Sequence, residues 1–213
     1  MAWPVLVFDI ETIPDMGGWR RLHGVPEGLA PQASDAELFA HWRAQRAAQG
    51  HSDFMPLYLQ RVLCISCVFR NAEGLRVHSF VDRDGESDRE AKWNNYIGRY
   101  HLKHLALMDL LAKYTPRANA PLDALAKLCG FPGKLGMDGG QVYDQYLAGQ
   151  LEDVRRYCET DVMNPYLLYC RFQKMRGGFT EAEYAQEIDF VRQNLQALAP
   201  AEPHWQQYLQ AWA

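Results

Sequence analysis

A chain of 213 residues with formal net charge −4 can bury one full-sized core, and it is too acidic to serve as a passive nucleic-acid coat. It has no apolar run that would span a bilayer and no basic flank or small-residue cleavage site of a signal peptide. Its five cysteines form no disulfide or zinc framework. These features predict a cytoplasmic protein without a membrane partner. They leave room for catalysis by a carboxylate cluster, because a bound cation inverts the local charge. The expected organisation is one domain over residues 1–213, with a helical insertion at about 14–60 and a helical tail at about 180–213.

The chain opens on Val5-Leu6-Val7-Phe8-Asp9-Ile10-Glu11-Thr12, and residues 4–9 read as a buried strand. Side chains alternate along a strand, so Asp9 and Glu11 point to one side and Ile10 to the other. Two such acids repel each other and lose hydration, and a divalent cation between them removes both costs. A long polar stretch from Pro14 to Gln60 follows. It carries a predicted helix from Asp35 to Gln49, with Ser34 as N-cap and Gly50 as terminator. Arg61 to Arg70 and Leu75 to Val81, around Asn71-Ala72-Glu73-Gly74, predict a hairpin. Cys64 and Cys67 are three apart in the first of these strands, so their sulfurs fall on opposite faces and make no metal or redox pair.

A charge run, Asp82 to Glu90, precedes Leu105-Ala106-Leu107-Met108-Asp109, which reads as a second buried strand ending in an acid. Pro121 to Cys129 predicts a helix with Leu122, Leu125 and Leu128 inward and Gly130 closing it. The glycine-rich segment Gly130 to Gly140 lacks Walker spacing, and its Lys134 is a plain turn residue or a phosphate contact. From Leu151 onward, Val154, Cys158, Val162, Pro165, Tyr169 and Phe172 repeat at helical spacing as a core-facing stripe. Pro165 removes the N–H that would bond the Asp161 carbonyl, so a kink is expected there. A further amphipathic helix is predicted from Glu181 to Leu198, before a Pro- and Trp-containing end at Pro203 to Trp212.

Within the long helix, Tyr157 and Asp161 are i, i+4 and share a face that borders the buried stripe. Asp9-Ile10-Glu11-Thr12 together with Tyr157 to Asp161 resembles the first and third motifs of the DEDD 3′–5′ exonucleases, and the tyrosine resembles the DEDDy branch. Leu107 to Leu111 and Gly130 to Gly140 look like the stand-alone proteins related to the exonuclease domain of family B DNA polymerases; the resemblance covers residues 3–178. It implies an α/β, ribonuclease H-like fold with a mixed central β-sheet flanked by helices. It also implies two divalent ions, Mg²⁺ or Mn²⁺, with Asp9 bridging both, Glu11 and Asp161 completing the coordination, and Tyr157 positioning the attacking water. The implied substrate is a single-stranded nucleic-acid end, DNA in preference to RNA. Aromatic residues Trp93, Tyr96, Tyr100 and Tyr114, among Arg99, Lys103 and Lys113, read as surface and core packing or as a platform for bases and phosphates.

The chain departs from that pattern at the family's second motif, an Asn, a few small residues and then Phe-Asp, which is not found here. The acids between Val81 and Asp109 are Asp82, Asp84, Glu86, Asp88 and Glu90, all in the charge run and none after a strand. A central strand is also missing there, which exposes the ladders on both sides. The explanations are a stretch missing between Gly85 and Lys92, an internal deletion, or replacement by Asp109 or a charge-run acid. The first is favoured. The second reading of the chain is accordingly a weak or inactive nucleic-acid-binding module on the same fold.

Overall fold

Three antiparallel strands in the order β1-β2-β3 carry one face of the site: β1 (Val5–Pro14), β2 (Gln60–Asn71) and β3 (Gly74–Val81). The structure, a computed structural model, describes residues 4–83, 106–112, 115 and 119–212. Asp84, Glu86, Asp88, Glu90, the suspected junction and the aromatic and basic residues from Trp93 to Tyr114 therefore lie outside the described residues. Among the described residues the sheet is antiparallel throughout. β1 runs on past the predicted end at residue 9 to Pro14, so both acids sit inside the strand, with Asp9 opposite Ser66 and Glu11 opposite Cys64. A register shift between Glu11 and Thr12 ends the regular ladder just after the second acid. The hairpin turns where Asn71 Oδ1 accepts from the N–H groups of Glu73 and Gly74, an Asx turn that fixes the register of β2 and β3.

The insertion holds α1 (Met16–His23) and α2 (Asp35–Ala48). Ser34 caps α2 as predicted, with Glu37 returning the bond to complete a capping box. Past its end, Gly50 has φ 67°, a conformation that costs glycine nothing. Ile13, Met16, Leu38, Trp42 and Leu63 bury one core cluster beneath these helices.

Leu107–Leu111 forms a short helix, α3, and corrects the predicted strand ending at Asp109. Four apolar residues in a row carry no period, so strand and helix are equally compatible with them. α4 (Leu122–Leu128) starts after Pro121, but Leu128 is 84 % exposed rather than inward. After α5 (Val142–Leu147) comes α6 (Leu151–Met175), continuous through Pro165. Val154, Cys158 and Val162 are buried as expected, whereas Leu151, Pro165, Tyr169 and Phe172 are only half-buried. The buried surface is wider than that stripe, because every residue from Tyr157 to Asn164 is buried. α6 meets β1, β2, α4, α5, α7 (Glu181–Leu198) and α8 (His204–Gln210), and so is a central helix with no solvent face at that point. Trp205, Tyr208 and Trp212 of the C-terminal segment are buried in a second cluster with Val162, Tyr166, Leu167, Val191 and Leu195. No helix among the described residues is long and apolar enough to cross a membrane.

Candidate metal centre

Asp9 and Glu11 leave β1 on the face that α6 covers, and α6 answers with Cys158 and Asp161. Glu11 is 8 % exposed and Asp161 5 % exposed. One ligand atom from each of Asp9, Glu11 and Cys158 lies within 4.8 Å of the others, a group able to hold a cation. Burial, and then the Asp161 carboxylate, push the Asp9 carboxyl up to about 6. Burial, and then Asp9 and Asp161, push Glu11 up to about 8. Asp161 is thus near enough to both strand acids to oppose their ionisation. Its Oδ1 is buried without a hydrogen-bond partner, while Oδ2 lies 3.1 Å from Lys134 Nζ. A buried carboxylate oxygen with nothing to accept from is costly unless a cation meets it.

Cys158 fits less well as a ligand. Its thiol is 3.8 Å from Asp9 Oδ2 and 3.7 Å from the Asp9 carbonyl. The contact with Cys64 and then burial push its pKa far up, so it stays a neutral thiol. Hard cations take carboxylate oxygens, which makes Asp9, Glu11 and Asp161 the fitting set.

Lys134 Nζ donates to the Tyr157 hydroxyl at 2.9 Å as well as pairing with Asp161. Burial disfavours its charge, but Tyr157 and Asp161 outweigh that and hold it protonated. Burial of Tyr157, reinforced by Asp161 and Glu11 against the opposing Lys134, keeps the phenol neutral. The structure therefore gathers five sequence-predicted residues, Asp9, Glu11, Lys134, Tyr157 and Asp161, in one place. Asp109 stands half-buried in the first turn of α3 and is not part of the Asp9–Glu11–Cys158 group.

Sequence reasoning missed the residues that place Lys134. Asn164 donates from Nδ2 to the Gly133 carbonyl at 3.0 Å and to the Thr160 carbonyl at 3.3 Å. Its Oδ1 accepts from the Gly133 N–H at 3.2 Å and from Tyr208 at 2.8 Å. Asp123 accepts from the Lys134 N–H at 2.8 Å. Gly133 has φ 73°, and a Cβ there would meet Asp123 Oδ1 at 2.4 Å, so any other residue is strained there. The signal for Asn164 was present: it is three residues past Asp161 and seven past Tyr157, on the same helical face. Glu159, also missed, is buried on the sheet side. It accepts from Ser79 and Arg155, each at 2.7 Å, and lies 2.8 Å from His204 Nε2.

No curated protein and no solved structure matches the chain. A family model, described as a predicted 3′–5′ exonuclease related to the exonuclease domain of PolB, matches residues 73–212. The match begins after β1, so Asp9 and Glu11 lie outside it, while Lys134, Tyr157, Asp161 and Asn164 lie within. It covers more than half of the chain, and the chain belongs to this family of predicted 3′–5′ exonucleases related to the PolB exonuclease domain.

Proposed function

We propose that the chain is a metal-dependent 3′–5′ exonuclease of the DEDDy kind, acting on single-stranded ends, with DNA favoured over RNA, in the cytoplasm. The observation that carries this reading is the convergence of Asp9, Glu11 and Asp161, two of them pushed up in pKa and the third with a buried oxygen lacking any partner. These three carboxylates would hold two divalent ions, Mg²⁺ or Mn²⁺. Ions bound there would ease deprotonation of the attacking water and neutralise the charge developing on the leaving 3′-oxygen.

The chain's own residues supply orientation and charge. The neutral Tyr157 phenol orients the water and is too weak an acid to be its base near neutral pH. Lys134, held by the Gly133 turn, faces the same space and would contact a non-bridging oxygen of the scissile phosphate. Burial of the carboxylates strengthens each of these interactions by excluding water.

The test is a 5′-labelled single-stranded oligonucleotide with Mn²⁺. Stepwise shortening from the 3′ end, abolished in both Asp9→Asn and Asp161→Asn protein, is the expected outcome. A ladder that persists in both variants would refute the assignment. The second reading, a weak or inactive binding module, is favoured by one feature of the sequence: the family's second motif, an Asn and then Phe-Asp, is not found between Val81 and Asp109. Retention of the oligonucleotide without cleavage under Mg²⁺ or Mn²⁺ would support it.

A further inference from the structure

Tyr157 also lines a cavity of about 430 Å³ bounded by the 135–137 turn, α5, α6 and α8. Leu135 and Met137 give it an apolar wall, and Gln145 and Gln207 bring amide groups from α5 and α8. Arg156 brings a guanidinium whose Nη1 pairs with Asp153 at 3.2 Å and whose Nε is buried without a partner. A buried N–H with no acceptor is costly, and a ligand carbonyl or ring nitrogen would meet it.

Tyr157 joins this cavity to the carboxylates: it lines the cavity, and its hydroxyl meets Lys134, the neighbour of Leu135. Whatever occupies the cavity would therefore touch Tyr157, the residue proposed to orient the attacking water. The lining has the chemistry of a nucleobase site, with an apolar surface for the ring face and amide and guanidinium groups for its edge. The volume is in the range of small-ligand pockets. The charges of Arg156 and Asp153 offset each other, which suits a neutral base better than a second phosphate.

We propose that this cavity seats the base of the 3′-terminal nucleotide, with Arg156, Gln145 and Gln207 reading its edge, so that the enzyme discriminates among terminal bases. The inference rests on the nuclease reading, and the experiment separates the two. Four 5′-labelled oligonucleotides differing only in the 3′-terminal base are digested with Mn²⁺ by wild-type, Arg156→Met and Gln207→Ala protein. The four nucleoside 5′-monophosphates are also dialysed to equilibrium against the same full-length chains.

Wild-type protein is expected to spread kcat/KM about tenfold across the four ends, the best-cleaved base being that of the tightest monophosphate. The variants narrow that spread to about twofold and weaken monophosphate binding about tenfold. Gln207 is exposed on α8, so its loss does not threaten folding. Cleavage with no spread in wild type, or with the same spread in the variants, overturns the base site and leaves the nuclease standing. Monophosphate binding that weakens in the variants, with no oligonucleotide cut, keeps the site and overturns the reaction. Neither binding nor cleavage overturns both.

Discussion

Asp9 and Glu11 are held in a place where neither ionises freely, and the consequence is measurable. Their folded pKa values, about 6 and about 8, lie above the ordinary carboxyl range. As pH rises from 4 to 8 the unfolded chain gives up these protons first, so the metal-free protein loses stability across that window. Each pH unit between folded and unfolded values is worth ~1.4 kcal/mol per group, and coupling between the two reduces the simple sum, so the loss should amount to several kcal/mol. Asp9→Asn and Glu11→Gln are expected to raise the metal-free Tm at pH 8 while abolishing cleavage. Thermal melts from pH 4 to 8 check this, and a flat profile would contradict the burial of the pair. Glu159 acts in the opposite direction. Burial raises its pKa, but His204, Ser79 and Arg155 outweigh that and hold it below the ordinary value, so its contribution is lost only below pH 4.5.

At the scale of elements, the turn that carries Lys134 is fixed by one side chain of α6 and one of α4. Asn164 ties both polar groups of Gly133, and Asp123 ties the Lys134 N–H. Gly133→Ala puts a Cβ against Asp123 at a positive φ and should destabilise the protein by about 1–3 kcal/mol. It should also lower kcat at least tenfold by displacing Lys134. Urea unfolding and single-turnover kinetics separate the two effects, and loss of stability with full kcat would remove Lys134 from the proposed chemistry. The elements themselves were largely legible. Ser34 and Gly50 marked α2, and the capping box that Glu37 completes there recurs in α7 as Thr180 with Glu183. The hairpin was written in Asn71 to Gly74. What was hidden depended on distant partners. The burial of Glu159 and Asn164 exists only because β3 and α8 close over α6. Leu107 to Leu111 forms a helix where its short apolar run suggested a strand. Lys134 meets Asp161 across a separation that no local pattern encodes.

In the molecule as a whole, α6 links two core clusters. Tyr157 and Cys158 belong to the one beneath the insertion, and Val162 onward belongs to the one closed by α7 and α8. Asp161 sits at the seam, so its position depends on both. The second cluster is fastened to the sheet by Arg70, whose Nε and Nη2 donate to Glu187 at 2.8 and 3.0 Å; Tyr166 donates to the same carboxylate at 2.7 Å. Arg70 also lies over the Phe190 ring, 4.3 Å from its centroid. Glu187→Ala strands a mostly buried guanidinium and a buried hydroxyl, and should cost about 3–5 kcal/mol. Denaturant unfolding measures it, and a loss below about 1 kcal/mol would mean that α7 docks through its apolar face alone.

The proposed function stands on Asp9, Glu11 and Asp161 acting together as one centre for two divalent ions. Titration of the full chain with Mn²⁺, following the signal of the free ion by electron paramagnetic resonance, tests it without requiring turnover. Two ions bound per chain at pH 8, and one or none in Asp161→Asn and Asp9→Asn protein, is the predicted result. Equal and weak uptake by wild type and both variants would show that the three carboxylates do not act together, and the proposed two-ion centre would fall.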